Sequence, residues 1–529
     1  MSGTLTRLPV LEDGQPTVRW SRRLLAALVA VAVVALVARW WRRGSSFDVF
    51  VDEFVYEQLG RSVRGGGLPS LSDGVFFLHP PGFFYLLAGW EDLLGVPLAG
   101  DPVQAVVAAR GLNAVLGAGT AVLVTLLVAR YGARWGFAAG LLLAVEPFAL
   151  RQNGRVLLDT AVVFWVLVGL LVLRPLAQDP RRGWRPVVGG LALGLAVLTK
   201  DKSVMLTVLP LLLLWWLRPR QRRWVPTALG ACFAPYATYL VVVTATGDVE
   251  LWADAKFGGL LRAVGADVTT GFTAPGAPSL LQQVLRQLAD FGATYVLLAV
   301  GLVCSVLLLL RSRSDDLALL SLTHLGAFAM LAYSATAGTL EEHFLYYLLV
   351  PSVGVLFAYA AVVTELPPPR WAAGRHRRED RRARVSRGLA DLVHRLPLSG
   401  GPLLVLTVLL IGLDGATYVR WHAVPDDGFT RVRDYLLENA PAGTGVIITQ
   451  GTSEFVFGDR FDAGPYTGDE QRVQHGVRYL VVPWREVYQG YTYVTLPTVE
   501  DLVAQGRLVL SVPSRSYGEV ALYRLDDPA

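Results

Sequence analysis

Of the chain's 529 residues, 53% are hydrophobic and only 17% are charged, with a formal net charge of +5 and a mean hydropathy of +0.43. A soluble domain carries about a quarter of its residues as Asp, Glu, Lys or Arg, so a wholly soluble fold is excluded. The basic excess sits in short clusters between apolar runs, the pattern of membrane topology signals and not of a groove that tracks nucleic acid. Cys232 and Cys304 both lie inside apolar runs and support neither a disulfide framework nor a zinc site.

In chain order, residues 1–19 read as a cytoplasmic tail. Leu24–Val37 is uncharged, and Trp20 and Trp40/Trp41 bracket it like interfacial anchors. Arg39, Arg42 and Arg43 follow where a signal peptide would show small residues, so 20–41 is an uncleaved first span. A long loop, 44–108, comes next. Its apolar part, 76–98, is interrupted by His79-Pro80-Pro81 and Glu91-Asp92 and is predicted to lie on the membrane surface as a helix. Further spans are predicted near 109–129, 133–150, 158–174, 186–200, 203–217, 224–246, 284–310, 316–337, 343–363 and 401–419. That makes about eleven, each needing roughly 20 apolar residues.

With the N-terminus inside, Arg130/Arg134, Arg181/Arg182/Arg185, Arg218/Arg220/Arg222/Arg223, Arg311/Arg313 and the basic loop 364–400 all fall on the cytoplasmic side. Arg39, Arg42 and Arg43 break this pattern. The loops 44–108 and 247–283 and the tail 420–529 are then extracytoplasmic. In the tail, Thr430–Asn439 and Val499–Gln505 read as helices. Val446–Thr449 and Tyr479–Val482 read as strands, and Leu508–Val512 with Val520–Leu525 as a hairpin. The expected fold is a polytopic α-helical membrane module, 20–419, with a C-terminal soluble α/β domain.

Four polar clusters need explaining, and all are predicted on the extracytoplasmic face. Asp48 and Asp52 share a face if helical, whereas adjacent Asp52 and Glu53 point about 100° apart; a solvated loop helix is the plain alternative. Arg155 and Asp159 are spaced to pair on a helix, as a structural ion pair or as part of a site. Lys200-Asp201-Lys202 fills a tight turn, and with Lys256 these are the chain's only lysines. A bound anion such as a lipid phosphate would favour cations there; a water-exposed turn is the competing account. Glu341-Glu342-His343 precedes Tyr346 and Tyr347, which also suit an aromatic belt. A transporter or lipid flippase, the alternative function, would place ionisable groups nearer the bilayer midplane.

The ordered set Asp52-Glu53-Phe54-Val55-Tyr56, His79-Pro80-Pro81-Gly82, Ala109-Arg110, Arg155-Val156-Leu157-Leu158-Asp159, Gly194–Lys200 and His343–Pro351 resembles the GT-C membrane glycosyltransferases. The likeness is to the branch of protein O-mannosyltransferases and the lipid A aminoarabinose transferase, over roughly residues 20–365. The resemblance implies a sugar donor on polyprenyl phosphate, met within the membrane lipid, and an acceptor hydroxyl on a protein, lipid or cell-envelope glycan. It implies inversion, with Asp52 as base and Glu53 beside it. Arg155, Lys200, Lys202, His343 and Tyr347 would hold the donor phosphate, and Tyr56, His79, Arg110, Asp159 and Tyr346 would position substrate. Asp201 stands where the family pattern has a neutral residue, which leaves open which lysine faces the phosphate. No cofactor is implied; some GT-C branches bind a divalent metal, but none is expected here.

Overall fold

A computed structural model describes residues 21–98, 100–174, 183–266, 279–312, 314–365, 400–490 and 492–526. The predicted tail 1–19, the basic stretch 366–399, Arg181, Arg182 and Arg313 lie outside them.

Helix α1 (Arg22–Trp40) is followed by α2 (Val51–Ser62), a short β1–β2 hairpin (Ser70–Leu71, Gly74–Val75) and α3 (Gly82–Leu94). At 13 residues, α3 rises about 20 Å, too little to span. It packs on α2 and α4 (Pro102–Ala129). The bundle continues through α5 (Ala133–Val145), α6 (Pro147–Asn153), α7 (Leu158–Leu173), α8 (Arg185–Thr199), α9 (Val204–Leu217), α10 (Val225–Thr246), α11 (Val249–Ala263), α12 (Leu280–Arg311), α13 (Asp315–Thr336), α14 (Leu345–Glu365) and α15 (Gly400–Ala423).

Among the described residues, six helices are long and apolar enough to cross a membrane, and α5 with α6 forms a seventh candidate bent by 62°. The chain is a membrane protein. The apolar helices α7 and α8 are shorter; they pack on each other, and α8 also lies against α10.

Two of the three arginines that broke the charge pattern after the first span, Arg39 and Arg42, donate to backbone carbonyls, and Arg43 lies over the Trp40 ring. Arg39 is buried, donating to Asn153 Oδ1 (2.9 Å) and to the carbonyls of Ala35, Ala144 and Leu143. Arg42 donates to the carbonyls of His422 and Ala423 at the end of α15. At the opposite end of the bundle, the buried Asp316 carboxylate is shared by Arg174 (2.8 Å) and Arg130 (3.0 Å), tying α4, α7 and α13 together.

Beyond α15 the chain forms α16 (Gly428–Asn439), β3 (Gly445–Ile448), α17 (Gly451–Phe457), β4 (Asp462–Gly464), α18 (Asp469–Gln474), β5 (Val477–Pro483), α19 (Trp484–Gln489), α20 (Leu496–Ala504), β6 (Gly506–Ser514) and β7 (Gly518–Leu525). The sheet order is β4-β3-β5-β7-β6. β3 pairs parallel with β4 and β5, and β7 pairs antiparallel with β5 and β6. The expected helices, strands and hairpin are present; β4 and the short helices α17 to α19 are additional.

This α/β unit is stitched to the segment leading into α2. Buried Asp426 accepts from the Ser514 hydroxyl (2.7 Å), the Ser516 hydroxyl (2.7 Å) and the Arg515 amide (2.9 Å). That fixes the β6–β7 turn. From the turn, Tyr517 donates to the Val49 carbonyl (2.7 Å) and Arg515 to the Ser46 carbonyl (3.2 Å). Phe455 of α17 stacks on Phe54 of α2 with centroids 5.4 Å apart. Asp426→Ala strands these buried donors, at about 1–3 kcal/mol each. We expect a lower melting temperature in detergent and faster tryptic release of the tail; an unchanged digestion rate would refute this account of the seam.

Candidate active site

Helix α2 is set by a buried clamp. Arg110 grips Glu53 with both arms of its guanidinium (Nε–Oε1 2.8 Å, Nη2–Oε2 2.6 Å), and both side chains are fully buried. Glu53 also accepts from the Phe50 amide (3.1 Å), capping the helix start, and from the Val156 amide (2.8 Å). Arg110 in turn donates to the carbonyls of Phe47 and Asp48. The clamp thus joins the chain before α2, helix α4 and the turn between α6 and α7. Glu53 was expected among the catalytic residues beside Asp52, and Arg110 as a substrate-positioning residue. In the structure the two hold each other and the surrounding backbone, and the carboxylate oxygens of Glu53 are already engaged by protein donors.

With Glu53 held inward, Asp52 faces a recess at the end of the bundle nearest the tail. It keeps some accessible surface while protein crowds it. Burial pushes its carboxyl up to about 7; Glu341, Asp159 and Glu53 push the same way, and Lys200 opposes them. Tyr56, one turn along α2, is buried, and its ring meets His79 edge-on at 6.0 Å. Burial, Lys200 and Lys256 hold His79 well below the usual histidine range, so its imidazole is neutral. The His79-Pro80-Pro81 loop reaches this position because Gly82 lies against the end of α8: a Cβ there would stand 2.9 Å from the Leu198 carbonyl oxygen.

The lysine turn supplies the opposing charge. Lys200 Nζ donates to Asp159 Oδ1 (2.9 Å) and to His343 Nε2 (3.1 Å). Tyr347 stands beside Asp159. Lys202 is half-buried, with Nζ 4.2 Å from the centre of the Phe344 ring. It has no ion pair among the described residues, and burial lowers its ammonium from the usual lysine range. Asp201 turns away, accepting from Lys256 (2.7 Å) and the Tyr236 hydroxyl (2.9 Å). The triplet therefore separates into two lysines that serve the recess and an acid that anchors α10 and α11.

Asp52, Tyr56, His79, Asp159, Lys200, Lys202, His343 and Tyr347 thus come together from segments far apart in sequence. Glu341, part of the Glu341-Glu342-His343 cluster but not among the expected site residues, joins them, its Oε2 3.4 Å from His343 Nε2. Its position beside His343 was the available signal. Other expected members lie elsewhere. Tyr346 is buried and accepts from Asn153 Nδ2 (3.0 Å) in the network of Arg39. Arg155 precedes α7 and donates to Ser516 of the tail (2.9 Å), so it does not pair with Asp159. Asp48 precedes α2, is buried, and accepts from the Val49 and Phe429 amides; no helical pair with Asp52 forms. Among the described residues, no group of three His, Cys, Asp or Glu side chains is arranged to hold a metal.

A family model for dolichyl-phosphate-mannose-protein mannosyltransferases matches residues 94–250, from just before α4 through α10. No curated protein sequence matches the chain. Among solved structures, ArnT from Cupriavidus metallidurans bound to undecaprenyl phosphate is similar, at 16% identity and TM-score 0.55, over 94% of this chain and 97% of that one. The oligosaccharyltransferase AglB from Archaeoglobus fulgidus, in complex with an inhibitory peptide and a dolichol-phosphate, is similar at 16% identity and TM-score 0.54, over 94% and 74%. A further structure of the A. fulgidus oligosaccharyltransferase, with Zn and sulfate, gives 15% and 0.53, over 94% and 72%. The chain has the fold of the GT-C membrane glycosyltransferases.

Arg110→Met leaves Glu53 buried without its counter-charge, which costs about 3–5 kcal/mol. Thermal unfolding in detergent should show a large drop, and the double change Arg110→Met with Glu53→Met should recover part of it. A single variant as stable as the parent would remove the clamp from this account.

Proposed function

We propose that the chain transfers a sugar from a polyprenyl-phosphate donor to an acceptor hydroxyl with inversion at the anomeric carbon. The reading is supported above all by one observation: within a GT-C fold, Asp52 shares a recess with Lys200, Lys202 and His343. The acceptor oxygen forms a bond to the anomeric carbon as the bond from that carbon to the phosphate oxygen breaks. Asp52 takes the hydroxyl proton, and Lys202, Lys200 and His343 hold the charge growing on the departing phosphate. Lys202 is the residue most available to the phosphate, since Lys200 is engaged by Asp159. Tyr56, His79 and Tyr347 form the walls, and Asp159 holds Lys200. Nothing in the comparisons supports a transporter or flippase.

The arginine pattern assigns the N-terminus to the cytoplasm and the recess and tail to the extracytoplasmic face. Activity does not depend on a divalent metal in this reading. Of the acids around the site, Glu53 is engaged by Arg110, Asp159 by Lys200 and Asp48 by the tail, which leaves Asp52 and Glu341, one short of a three-ligand group. Transfer should therefore survive EDTA, and loss restored by added divalent cation would reverse this assignment.

Asp52→Asn should cut kcat by about 10²–10⁴-fold in a donor-consumption assay while undecaprenyl phosphate still binds. Near-parental turnover would end the role of Asp52 as base. Since the carboxyl titrates at about 7 and must be ionised to accept a proton, kcat/KM should fall about tenfold per pH unit below that point. It should level off above. Lys200→Met removes the charge that opposes protonation, so the limb should move to higher pH; a shift downward would contradict the arrangement.

A further inference from the structure

Two guanidinium groups converge on one residue at the seam between the bundle and the tail. Arg155, only 8% exposed, donates from Nη2 to Ser516 Oγ (2.9 Å). Arg485 of α19 donates from Nη1 to the Ser516 carbonyl (3.1 Å) and the Arg515 carbonyl (2.6 Å). Neither forms an ion pair among the described residues, and the buried Arg155 Nε has no hydrogen-bond partner. Arg151 adds a third positive charge facing both.

The nearby acids do not balance this charge. Glu342 is bound to Arg151, and the single charge of Asp426, held by the turn residues Ser514 to Ser516, is shared between Arg485 and Arg515. Glu486 stands beside Arg155 and Arg485, but burial pushes it up to about 7, so near neutral pH it is only partly ionised. An incompletely compensated, largely buried guanidinium is unfavourable unless something else supplies negative charge.

The position says which substrate would supply it. Arg155 lies over the ring of Phe50 (5.5 Å), two residues before Asp52, on the side where the tail packs. The charges that dominate at Asp52 and Lys202 are instead Glu341, Lys200 and Asp159. The donor phosphate already has Lys202 and Lys200. Building on the glycosyl-transfer reading above, we propose that Arg155 and Arg485, joined through Ser516, bind an anionic group carried by the acceptor, a phosphate or a carboxylate. The planar fork of arginine suits either group. The tail then takes part in acceptor recognition, through a side chain one helix contributes to the seam.

The test uses the full chain in lipid nanodiscs and two probes, decyl β-glucoside and the same glycoside bearing a 6-phosphate, titrated by calorimetry. The phosphorylated glycoside should bind about tenfold tighter or more. Arg485→Gln should remove most of that preference while the affinity for the neutral glycoside stays as it was. Arg485 is exposed, so its loss leaves no buried cavity, and Arg155→Gln repeats the test from the other wall. Equal affinity for the two glycosides in the parent chain would overturn the proposal, as would a preference untouched by both substitutions. Competitive displacement of the phosphorylated glycoside by undecaprenyl phosphate would overturn it too, because the anion site would then be the donor's. Undecaprenyl phosphate binding to the parent chain is measured separately. Its absence would undo the glycosyl-transfer reading while leaving the anion preference of the seam intact.

Discussion

The Glu53–Arg110 pair is the constraint from which the site follows. It is bidentate and fully buried, and its carboxylate also takes the amides of Phe50 and Val156. One ion pair therefore fixes where α2 begins, how it is rotated and how far it stands from α4 and α7. Residues adjacent on a helix point about 100° apart, so committing Glu53 to the interior turns Asp52 toward the recess. Buried pairs of this kind add little net stability compared with apolar packing, yet are severely disruptive when half removed. What this pair supplies is register: a single permitted rotation for the helix that carries Asp52.

Around Asp52 the electrostatics are arranged as alternating signs. Burial raises its carboxyl most, Glu341 and Asp159 add to that and Lys200 opposes them, while Lys200 is itself divided between Asp159 and His343. The result is a carboxyl that changes charge near neutrality instead of being fixed as a carboxylate by a salt bridge. The proposed role of Asp52 as base needs that condition, since a carboxylate locked to a cation is a weaker proton acceptor. Lys202, held against the Phe344 ring, keeps its hydrogen-bonding capacity for a ligand.

Much of this was legible in the sequence because lipid imposes strong demands: apolar runs of fixed length, interfacial aromatics, arginine clusters at loop ends. Convergence of the clusters near 52, 200 and 343 followed from reading them onto one face. Errors arose where helical spacing was extended past a helix start. Asp48 and Arg155 both precede the helices that carry Asp52 and Asp159, so each leaves the expected partner and joins the tail. The division of labour between Asp52 and Glu53 was only half legible. Their divergence was clear from the pitch, but which one faced inward depended on Arg110, 57 residues away. In the tail, β4 has three residues, Asp462–Gly464, paired on one side only, and it lacks the apolar run that marks β3 or β5. Nothing in local pattern announces that Ser516 meets Arg155, since that contact joins residues 361 apart and exists only where the tail meets the bundle.

The chain's choice of cation follows the same logic of fixed and changing charge. Arginine appears where geometry must be held: Arg110 on Glu53, Arg39 across three carbonyls, Arg174 on Asp316. A planar five-donor fork loses little freedom when its partners are already in place. Lysine is confined to three positions, and two of them face the recess. A departing phosphate gains charge as its bond to the sugar lengthens, so the atoms needing stabilisation shift during the reaction. A compact ammonium on a four-carbon stem can follow that shift, whereas a bidentate guanidinium is built for a fixed pair of oxygens. On the glycosyl-transfer reading proposed above, lysines at the leaving group and arginines at the framework and the seam are one design. The residue type at each position reflects whether the negative charge it meets stays still.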